Sequence, residues 1–256
     1  MVRLSIIIPA YNEAERIETT LMEYLTFFNK KMPNDYEIIV IPNNCTDNTV
    51  NLVVKLAKKH KQVVFKEFKE PIGKSGALIE GFKLANGDLV GFTDADNSSP
   101  PEEFDKLIAN LKNFDGVIGS RWIRGANVKL KQPLARRIAS RSFNFLIRVV
   151  LNLRYRDTQC GCKLFKKRAI RDVLPHLGIT KWAFDVDLLY KMKLFKSKIN
   201  ETPIDWVDDP RTHLNLKKAP FEMFSALIRL RLINSPFGFI VKMYDLLPES
   251  IKVHHK

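Results

Sequence analysis

Two carboxylates in positions i and i+2 are the residues whose types and spacing most directly suggest chemistry. Asp94 and Asp96 follow an apolar run at 88–93, so a buried strand would carry them at its carboxyl end. Carboxylate oxygens suit Mg²⁺ or Mn²⁺, and such an ion can bridge a diphosphate. The alternative is a solvated turn, because Asp-x-Asp is common by chance. After a buried strand, the pair predicts a metal site formed by Asp94 and Asp96.

The second chemical feature is a glycine-rich loop, Gly73-Lys74-Ser75-Gly76. It resembles the end of a P-loop, but that motif needs a glycine where this chain has Phe68. The GxGxxG fingerprint is also missing after the first predicted strand. These absences exclude a P-loop NTPase and a standard dinucleotide binder. The loop either contacts a phosphate or ribose, or is a turn before a helix.

Basic charge is concentrated in the second half of the chain. The net charge is +14, and residues 116–156 contain ten Lys or Arg and no Asp or Glu. An excess of this kind favours an anionic partner, which can be a nucleic acid, a membrane surface or a phosphorylated substrate.

The elements that must position these residues alternate between strand and helix. Apolar runs predict buried strands at 3–9, 36–42, 63–68, 88–93 and 117–120, with helices between them. We further expect a helix over 134–151, a strand over 198–207, and Asn12 as the cap of the first helix, with Glu15 completing a capping box. Alternation of this kind predicts a mostly parallel sheet with helices on both faces, which binds ligands at the carboxyl ends of its strands.

Composition excludes several classes of protein. With 45% hydrophobic and 27% charged residues the chain is globular rather than disordered. Its three cysteines form no even framework and no CxxC pair, so we expect no disulfide scaffold or structural zinc and a reducing compartment. No apolar stretch approaches the ~20 residues of a membrane-spanning helix, so we expect a chain that can lie on a membrane but does not cross it.

Taken together, the motifs resemble those of the inverting family 2 glycosyltransferases, which have a GT-A fold and use nucleotide-sugar donors. The order and spacing match in Ile6–Glu13, Asn43–Thr49, Gly73–Ala77 and Asp94–Asp96. Further segments resemble the branch that glycosylates polyprenyl phosphates, the dolichyl-phosphate mannose synthases and glucosyltransferases. These segments are 118–121, the arginines of 136–141 with Asn144, 157–165, 182–187 and 204–216.

The resemblance covers about residues 3–216. It implies an α/β, Rossmann-like GT-A fold (the nucleotide-diphospho-sugar transferase fold) over residues 1–216. We expect residues 217–256 to form a C-terminal amphipathic, interfacial helical segment, because they are apolar with scattered basic residues. The alternative for this segment is a helix pair packed on the domain.

The resemblance also implies how a nucleotide sugar is bound. A divalent ion, Mg²⁺ or Mn²⁺, on Asp96 would offset the charge of the leaving diphosphate, and Asp94 would position the ribose or the metal. Asn43 stands where the family usually has Asp, and its amide can pair with a uracil edge. The expected donor-binding residues are Pro9, Tyr11, Glu13, Asn43, Lys74, Asp94, Asp96 and His213.

A polyprenyl phosphate acceptor needs no general base, because it is already an anion, but it needs placement and charge compensation. Arginine suits this task, since its fork meets phosphate oxygens with two N–H groups. The candidate acceptor-phosphate ligands are Arg121, Arg136, Arg137 and Arg141, and the alternative for each is a solvated basic surface. Asp96, Arg121 and Asp157 are the expected catalytic residues, with Asp157 orienting the acceptor.

Three functions remain open on the sequence. The first is inverting transfer of a hexose, from UDP-glucose or GDP-mannose, to a polyprenyl phosphate at an anionic membrane surface, on its cytoplasmic face. The second is transfer to a glycan hydroxyl, which needs a carboxylate base such as Asp157, Asp185 or Asp187. The third is a non-catalytic nucleic-acid-binding protein. Because basic charge explains neither the Asp pair nor the turn motifs, we expect no nucleic-acid partner.

Overall fold

The computed structural model describes residues 2–128, 134–178, 183–207 and 219–245. The predicted donor ligand His213 lies outside these residues, as does the expected domain boundary at 216–217. The side chains of Arg136 and Arg137 are also outside the description, although both residues belong to a described helix.

The centre of the molecule is a sheet of seven strands in the described part of the chain. Its order is β3-β2-β1-β4-β7-β5-β8, and every neighbouring pair is parallel except the two pairs that involve β7. The strands are β1 Leu4–Ala10, β2 Tyr36–Pro42, β3 Val63–Phe65, β4 Leu89–Phe92, β5 Gly116–Ser120, β7 Lys163–Lys166 and β8 Ile199–Pro203. Two short strands, β6 Asn127–Val128 and β9 Asp205–Trp206, form a separate parallel pair.

Helices cover both faces of this sheet, as the alternating pattern predicts. Their bounds are α1 Ile17–Lys31, α2 Thr49–Lys59, α3 Gly73–Leu84, α4 Pro101–Leu111, α5 Leu134–Leu151, α6 Lys167–Val173, α7 Phe184–Leu194, α8 Ala219–Ile233 and α9 Gly238–Asp245. Pro101 suits the first position of α4, where a missing N–H costs nothing.

Alternate residues of β1 point into two hydrophobic cores. Ile6 and Ile8 pack with α1, α2 and α4, whereas Ile7 packs with α3, α5, α6, α7 and α8. Residues 184–192 of α7 are all buried, so this helix is enclosed rather than amphipathic. The two cores hold rigid the loops at the carboxyl ends of the strands.

The structure corrects two expectations about local structure. Asn12 does not cap α1, which begins at Ile17. Instead Asn12 adopts a left-handed backbone with φ of 53° and hydrogen-bonds Thr46. The single strand expected over 198–207 is two strands, β8 in the main sheet and β9 in the small one, separated by the fully buried Ile204.

The C-terminal segment forms two helices that continue the fold. α8 packs against both α5 and α9, and its Leu227 and Leu230 join the core that contains Ile147 and Leu151 of α5. Within the described residues, no helix combines the length and apolarity that a bilayer crossing requires.

Candidate active site

The polar clusters predicted from the sequence meet at one edge of the sheet. β1 and β4 are parallel neighbours, so the loop of Tyr11 and Glu13 lies beside that of Asp94 and Asp96. From β1, the sheet continues through β2 and β3 to one edge and through β4 to the other, so the strand order reverses between β1 and β4. A crevice at such a reversal of strand order is where open α/β sheets bind ligands.

The loop after β1 is held by side chains from the loop after β2. Thr49 Oγ1 accepts the backbone N–H of Glu13 at 2.7 Å, and Asp47 accepts the N–H of Ala14 at 3.0 Å. Burial alone would raise the pKa of Asp47, but hydrogen bonds from Thr49 and the Ala14 backbone hold it below its usual value. The motif after β2 therefore fixes the segment that carries Tyr11, and sequence reasoning did not assign this role to Asp47 and Thr49.

The predicted donor contacts surround this loop. Pro9 is half-buried near the end of β1, and Tyr11 is exposed. Asn43 is buried, and its amide nitrogen donates to the Ala10 carbonyl at 3.2 Å. Burial raises the pKa of Glu13 despite its ion pair with Arg16.

The loop of Asp94 and Asp96 is anchored from α1. The hydroxyl of Thr20 donates to the Ala95 carbonyl at 2.8 Å, and that of Tyr24 donates to the Ser99 carbonyl at 2.7 Å. Asp96 Oδ1 accepts the backbone N–H of Ser98 at 3.0 Å. These hydrogen bonds restrict the conformation of the loop that carries both carboxylates.

The two carboxylates differ in their electrostatic surroundings. Lys74 Nζ lies 2.5 Å from Asp94 Oδ1. Burial alone would raise the pKa of Asp94, but the charges of Lys74, Lys163 and Arg121 hold it below its usual value. The pKa of Asp96 is instead raised, first by burial and then by the charge of Asp94. Asp96 is therefore the carboxylate that a bound cation would stabilise most.

The residues present fit a divalent ion. No group of three or more His, Cys, Asp or Glu side chains in the described ranges forms a complete cage. Mg²⁺ is commonly held by one or two carboxylates together with substrate phosphates, so a cage is not required. Asp96 and Asp94 supply such a pair, and a cation bound there would counteract the burial and the Asp94 charge that raise the pKa of Asp96.

Asp157 and Arg121, both predicted as catalytic, form a buried ion pair. Arg121 donates to Asp157 from Nε at 2.7 Å, from Nη2 at 3.0 Å and from its backbone N–H at 3.0 Å. Burial alone would raise the pKa of Asp157, but Arg121 holds it below its usual value. Two nitrogens of the Arg121 guanidinium are thus already bound to a carboxylate.

Arg141 is brought towards Arg121 by an aromatic side chain. The guanidinium carbons of Arg141 and Arg121 lie 5.1 and 5.9 Å from the ring centroid of Trp122. Asn144, one turn further along α5, accepts the backbone N–H of Thr158 at 3.1 Å. This bond ties α5 to the segment that carries Asp157.

A groove of about 920 Å³ between α1 and α4 contains none of the predicted site residues.

The two remaining base candidates are both held by the protein. Asp185 is buried and accepts a hydrogen bond from Lys163, which is fully buried. Asp187 accepts the backbone N–H of Gly178 at 3.1 Å, and burial raises its pKa. Sequence reasoning missed Lys163, because its position two residues before the end of the motif 157–165 gives no signal of burial.

Comparison with known proteins identifies the family of the chain. A family model described as glycosyl transferase family 2 matches residues 5–174. A dolichyl-phosphate beta-glucosyltransferase of Drosophila melanogaster is 36% identical over 218 residues, which cover 80% of this chain and 67% of the relative. One of Dictyostelium discoideum is 30% identical over 240 residues, covering 89% of this chain and 73% of that protein.

The fold has solved counterparts. Glucosyl-3-phosphoglycerate synthase from Mycobacterium tuberculosis, in complex with Mn²⁺, uridine diphosphate and phosphoglyceric acid, superposes with a TM-score of 0.62. It is 17% identical and covers 90% of this chain and 78% of that one. This likeness confirms the predicted GT-A fold. With a family model matching more than half of its length, the chain belongs to glycosyl transferase family 2 and is a glycosyltransferase.

Proposed function

We propose that the protein transfers glucose from UDP-glucose to a polyprenyl phosphate of the dolichyl type, with inversion at the anomeric carbon. The relatives named above support both the sugar and the acceptor, since each is a dolichyl-phosphate beta-glucosyltransferase. Mannose from GDP-mannose is the second donor to be tested.

The pairing of the site's carboxylates is the observation that carries this proposal. A hydroxyl acceptor needs a free carboxylate to remove its proton, whereas a phosphate acceptor is already an anion. Asp157 is held by Arg121, and Asp185 by Lys163. Asp187 forms no ion pair among the described residues; it is buried, and the Gly178 backbone N–H binds its Oδ2. This arrangement favours an acceptor that brings its own negative charge.

The donor's diphosphate would lie between Asp96 and Lys74, where a cation and a lysine can share its charge. Mg²⁺ or Mn²⁺ held by Asp96 and Asp94 would stabilise the charge that develops on the leaving diphosphate. The Mn²⁺ complex of the structural neighbour supports this assignment. Asn43, beside the end of β1, would contact the base, with Pro9, Tyr11 and Glu13 lining the rest of the nucleotide site.

The acceptor's phosphate would be bound on the α5 side of the site. Arg141 is exposed beside Trp122, and Arg136 and Arg137 precede it on α5. Arg121 would also bind the acceptor phosphate, in the orientation that its hydrogen bonds to Asp157 fix. We further propose that His213 contacts the donor's diphosphate, as predicted from the sequence. A lipid-borne acceptor places the enzyme at the cytoplasmic face of a membrane.

The test is a donor screen with a lipid readout. The protein is incubated with Mn²⁺, a short polyprenyl phosphate and each radiolabelled nucleotide sugar in turn, and the label extracted with the lipid is counted. We expect label from UDP-glucose, and a loss of at least roughly 100-fold for Asp96→Asn, which removes the charge facing the leaving group. Asp88→Asn, an exposed carboxylate before β4, is the matched control and should leave the rate unchanged.

The other outcomes of the screen are equally informative. Lipid label from GDP-mannose alone would keep the acceptor and replace the sugar. Nucleotide binding without lipid label from any donor would overturn the phosphate acceptor and favour a glycan hydroxyl.

A further inference from the structure

A fully buried lysine lies behind the site described above. Lys163 begins β7, and its register partner on β4 is Phe92, two residues before Asp94. Its side chain is 0% exposed, and its ammonium group lies 5.3 Å from the centroid of the Phe92 ring. It donates hydrogen bonds to the carboxylate of Asp185 and to the carbonyl of Cys160.

The segment that Lys163 holds is in direct contact with Asp94. A Cβ atom added to Gly161 would lie 1.9 Å from Asp94 Oδ2, so only a residue without a side chain leaves room for this carboxylate. The other oxygen, Oδ1, is bound by Lys74 at 2.5 Å. The orientation of Asp94 is therefore determined on one side by Lys74 and on the other by the backbone of Gly161.

The hydrogen bonds of Lys163 connect the segment before Gly161 to helix α7. By binding the Cys160 carbonyl it fixes the residue before Gly161, and by binding Asp185 it joins that segment to α7. Burial would raise the pKa of Asp94, whereas the charge of Lys74, and after it that of Lys163, lowers it. Burying two ions is costly before their attraction is counted, and an apolar pair often packs as stably. A purely structural contact would not require an ion pair here.

We propose that Lys163 and Asp185 are positioning residues, whose ion pair holds the Cys160–Gly161 backbone against Asp94 and thereby fixes the carboxylate that faces the nucleotide diphosphate. This inference rests on the proposed function, in that it takes the nucleotide to bind at Asp94 and Asp96. Because Lys163 is fully buried and Asp185 nearly so, the pair would act through Asp94 rather than by touching the substrate.

The test separates positioning from stability. The full-length protein, Lys163→Met and the double variant Lys163→Met/Asp185→Leu are titrated with UDP and with GDP by calorimetry, with and without Mn²⁺, and their thermal unfolding is followed. We expect Lys163→Met to weaken nucleotide binding in the presence of Mn²⁺ by roughly 10–100-fold, as is usual for outer partners of metal-binding carboxylates. The double variant should regain thermal stability without regaining affinity.

Two further variants complete the comparison. Lys191→Met removes a second buried lysine, whose ammonium group binds Asn234 Oδ1 at 2.5 Å. It should lower stability and leave nucleotide affinity unchanged. Asp185→Asn keeps the shape of the acceptor, so it reports on the pair even where the larger changes prevent folding, and it too should weaken binding.

The failures can be told apart. A wild-type protein that binds neither nucleotide overturns the proposed function. A wild-type protein that binds, together with a double variant or an Asp185→Asn variant of equal affinity, overturns the positioning role alone.

Discussion

At the scale of single residues, the site is defined by which carboxylates have a cation beside them. Asp94, Asp157 and Asp185 are paired with Lys74, Arg121 and Lys163, respectively. Within the described residues Asp96 forms no ion pair, and burial raises its pKa. In this part of the chain Asp96 is thus a carboxylate without a cationic partner, beside three that have one. A metal ion, bound together with a diphosphate, would supply that partner.

The Arg121–Asp157 pair gives a stability prediction with a defined pH dependence. Asp157→Asn removes the carboxylate that binds the buried guanidinium of Arg121, which should lower the free energy of unfolding at pH 7 by about 3–5 kcal/mol. Because the folded protein holds the pKa of Asp157 below 3.8, the stabilisation is present above that value and is lost as the pH falls through the folded pKa. The difference between wild type and variant should therefore narrow below about pH 4.

Urea unfolding at pH 7, 5 and 3.5 measures this difference. Asp172→Asn, whose carboxylate is exposed on α6, is the control and should change the free energy of unfolding by less than ~0.5 kcal/mol at each pH. A difference that stays constant down to pH 3.5 would contradict the ionised state assigned to Asp157.

At the scale of elements, sequence periodicity predicted what local apolar runs determine. The strand β2 has the predicted bounds, and helix α5 begins and ends at the predicted residues. The antiparallel strand β7 was not predicted, because its four residues begin and end with lysine and resemble a surface turn. Lys163 is buried there only because Asp185 lies opposite on α7, a contact 22 residues away that no local pattern reveals.

The same limit applies to the site. The residues that follow the strands were found from position and type, since the carboxyl ends of parallel strands must meet. The backbone contact between Gly161 and Asp94 was not found, because it depends on β7 entering the sheet between β4 and β5. Asn12 was assigned to the wrong element, since its partner Thr46 is supplied by another loop.

The β7 insertion makes Gly161→Ala a test of element placement. The added methyl group would overlap Asp94 Oδ2, so either the carboxylate or the strand must shift by about 1 Å, a displacement that can cost a site 10²-fold in rate. We expect transfer to fall by about that factor while far-ultraviolet circular dichroism is unchanged. Gly238→Ala, at the start of α9, would place its Cβ 2.8 Å from the Ile233 carbonyl oxygen and is the control for a crowded glycine outside the site. Full activity of Gly161→Ala would show that Asp94 is not held as described.

At the scale of the whole molecule, exposed apolar side chains and basic charge occur on the same three helices. Large apolar side chains are exposed on α5, α8 and α9: Phe145, Val149, Phe224, Ile228, Ile233, Phe239 and Met243. Phe237 is exposed in the turn between α8 and α9. In sequence the three helices contain seven basic residues, Arg136, Arg137, Arg141, Arg148, Arg229, Arg231 and Lys242, and two acidic ones, Glu222 and Asp245. This composition fits an anionic lipid surface, and α5 also carries the proposed acceptor arginines.

The proposed membrane contact predicts salt-dependent binding to vesicles that specific substitutions weaken. We expect the protein to sediment with vesicles containing anionic lipid and less with neutral vesicles or in high salt, because each basic residue near the surface adds an electrostatic contribution that salt screens. Phe237→Glu and Phe239→Glu should each weaken binding by at least about tenfold, since a Phe side chain contributes 1.5–3 kcal/mol on leaving water. Transfer to a short, water-soluble polyprenyl phosphate should be unchanged.

Met22→Glu, exposed on α1 behind the opposite face of the sheet, is the matched control. If all three variants bind vesicles equally well, α8 and α9 are not part of the membrane contact. If Phe237→Glu or Phe239→Glu loses transfer to the short acceptor, that phenylalanine instead belongs to the packing of the catalytic domain.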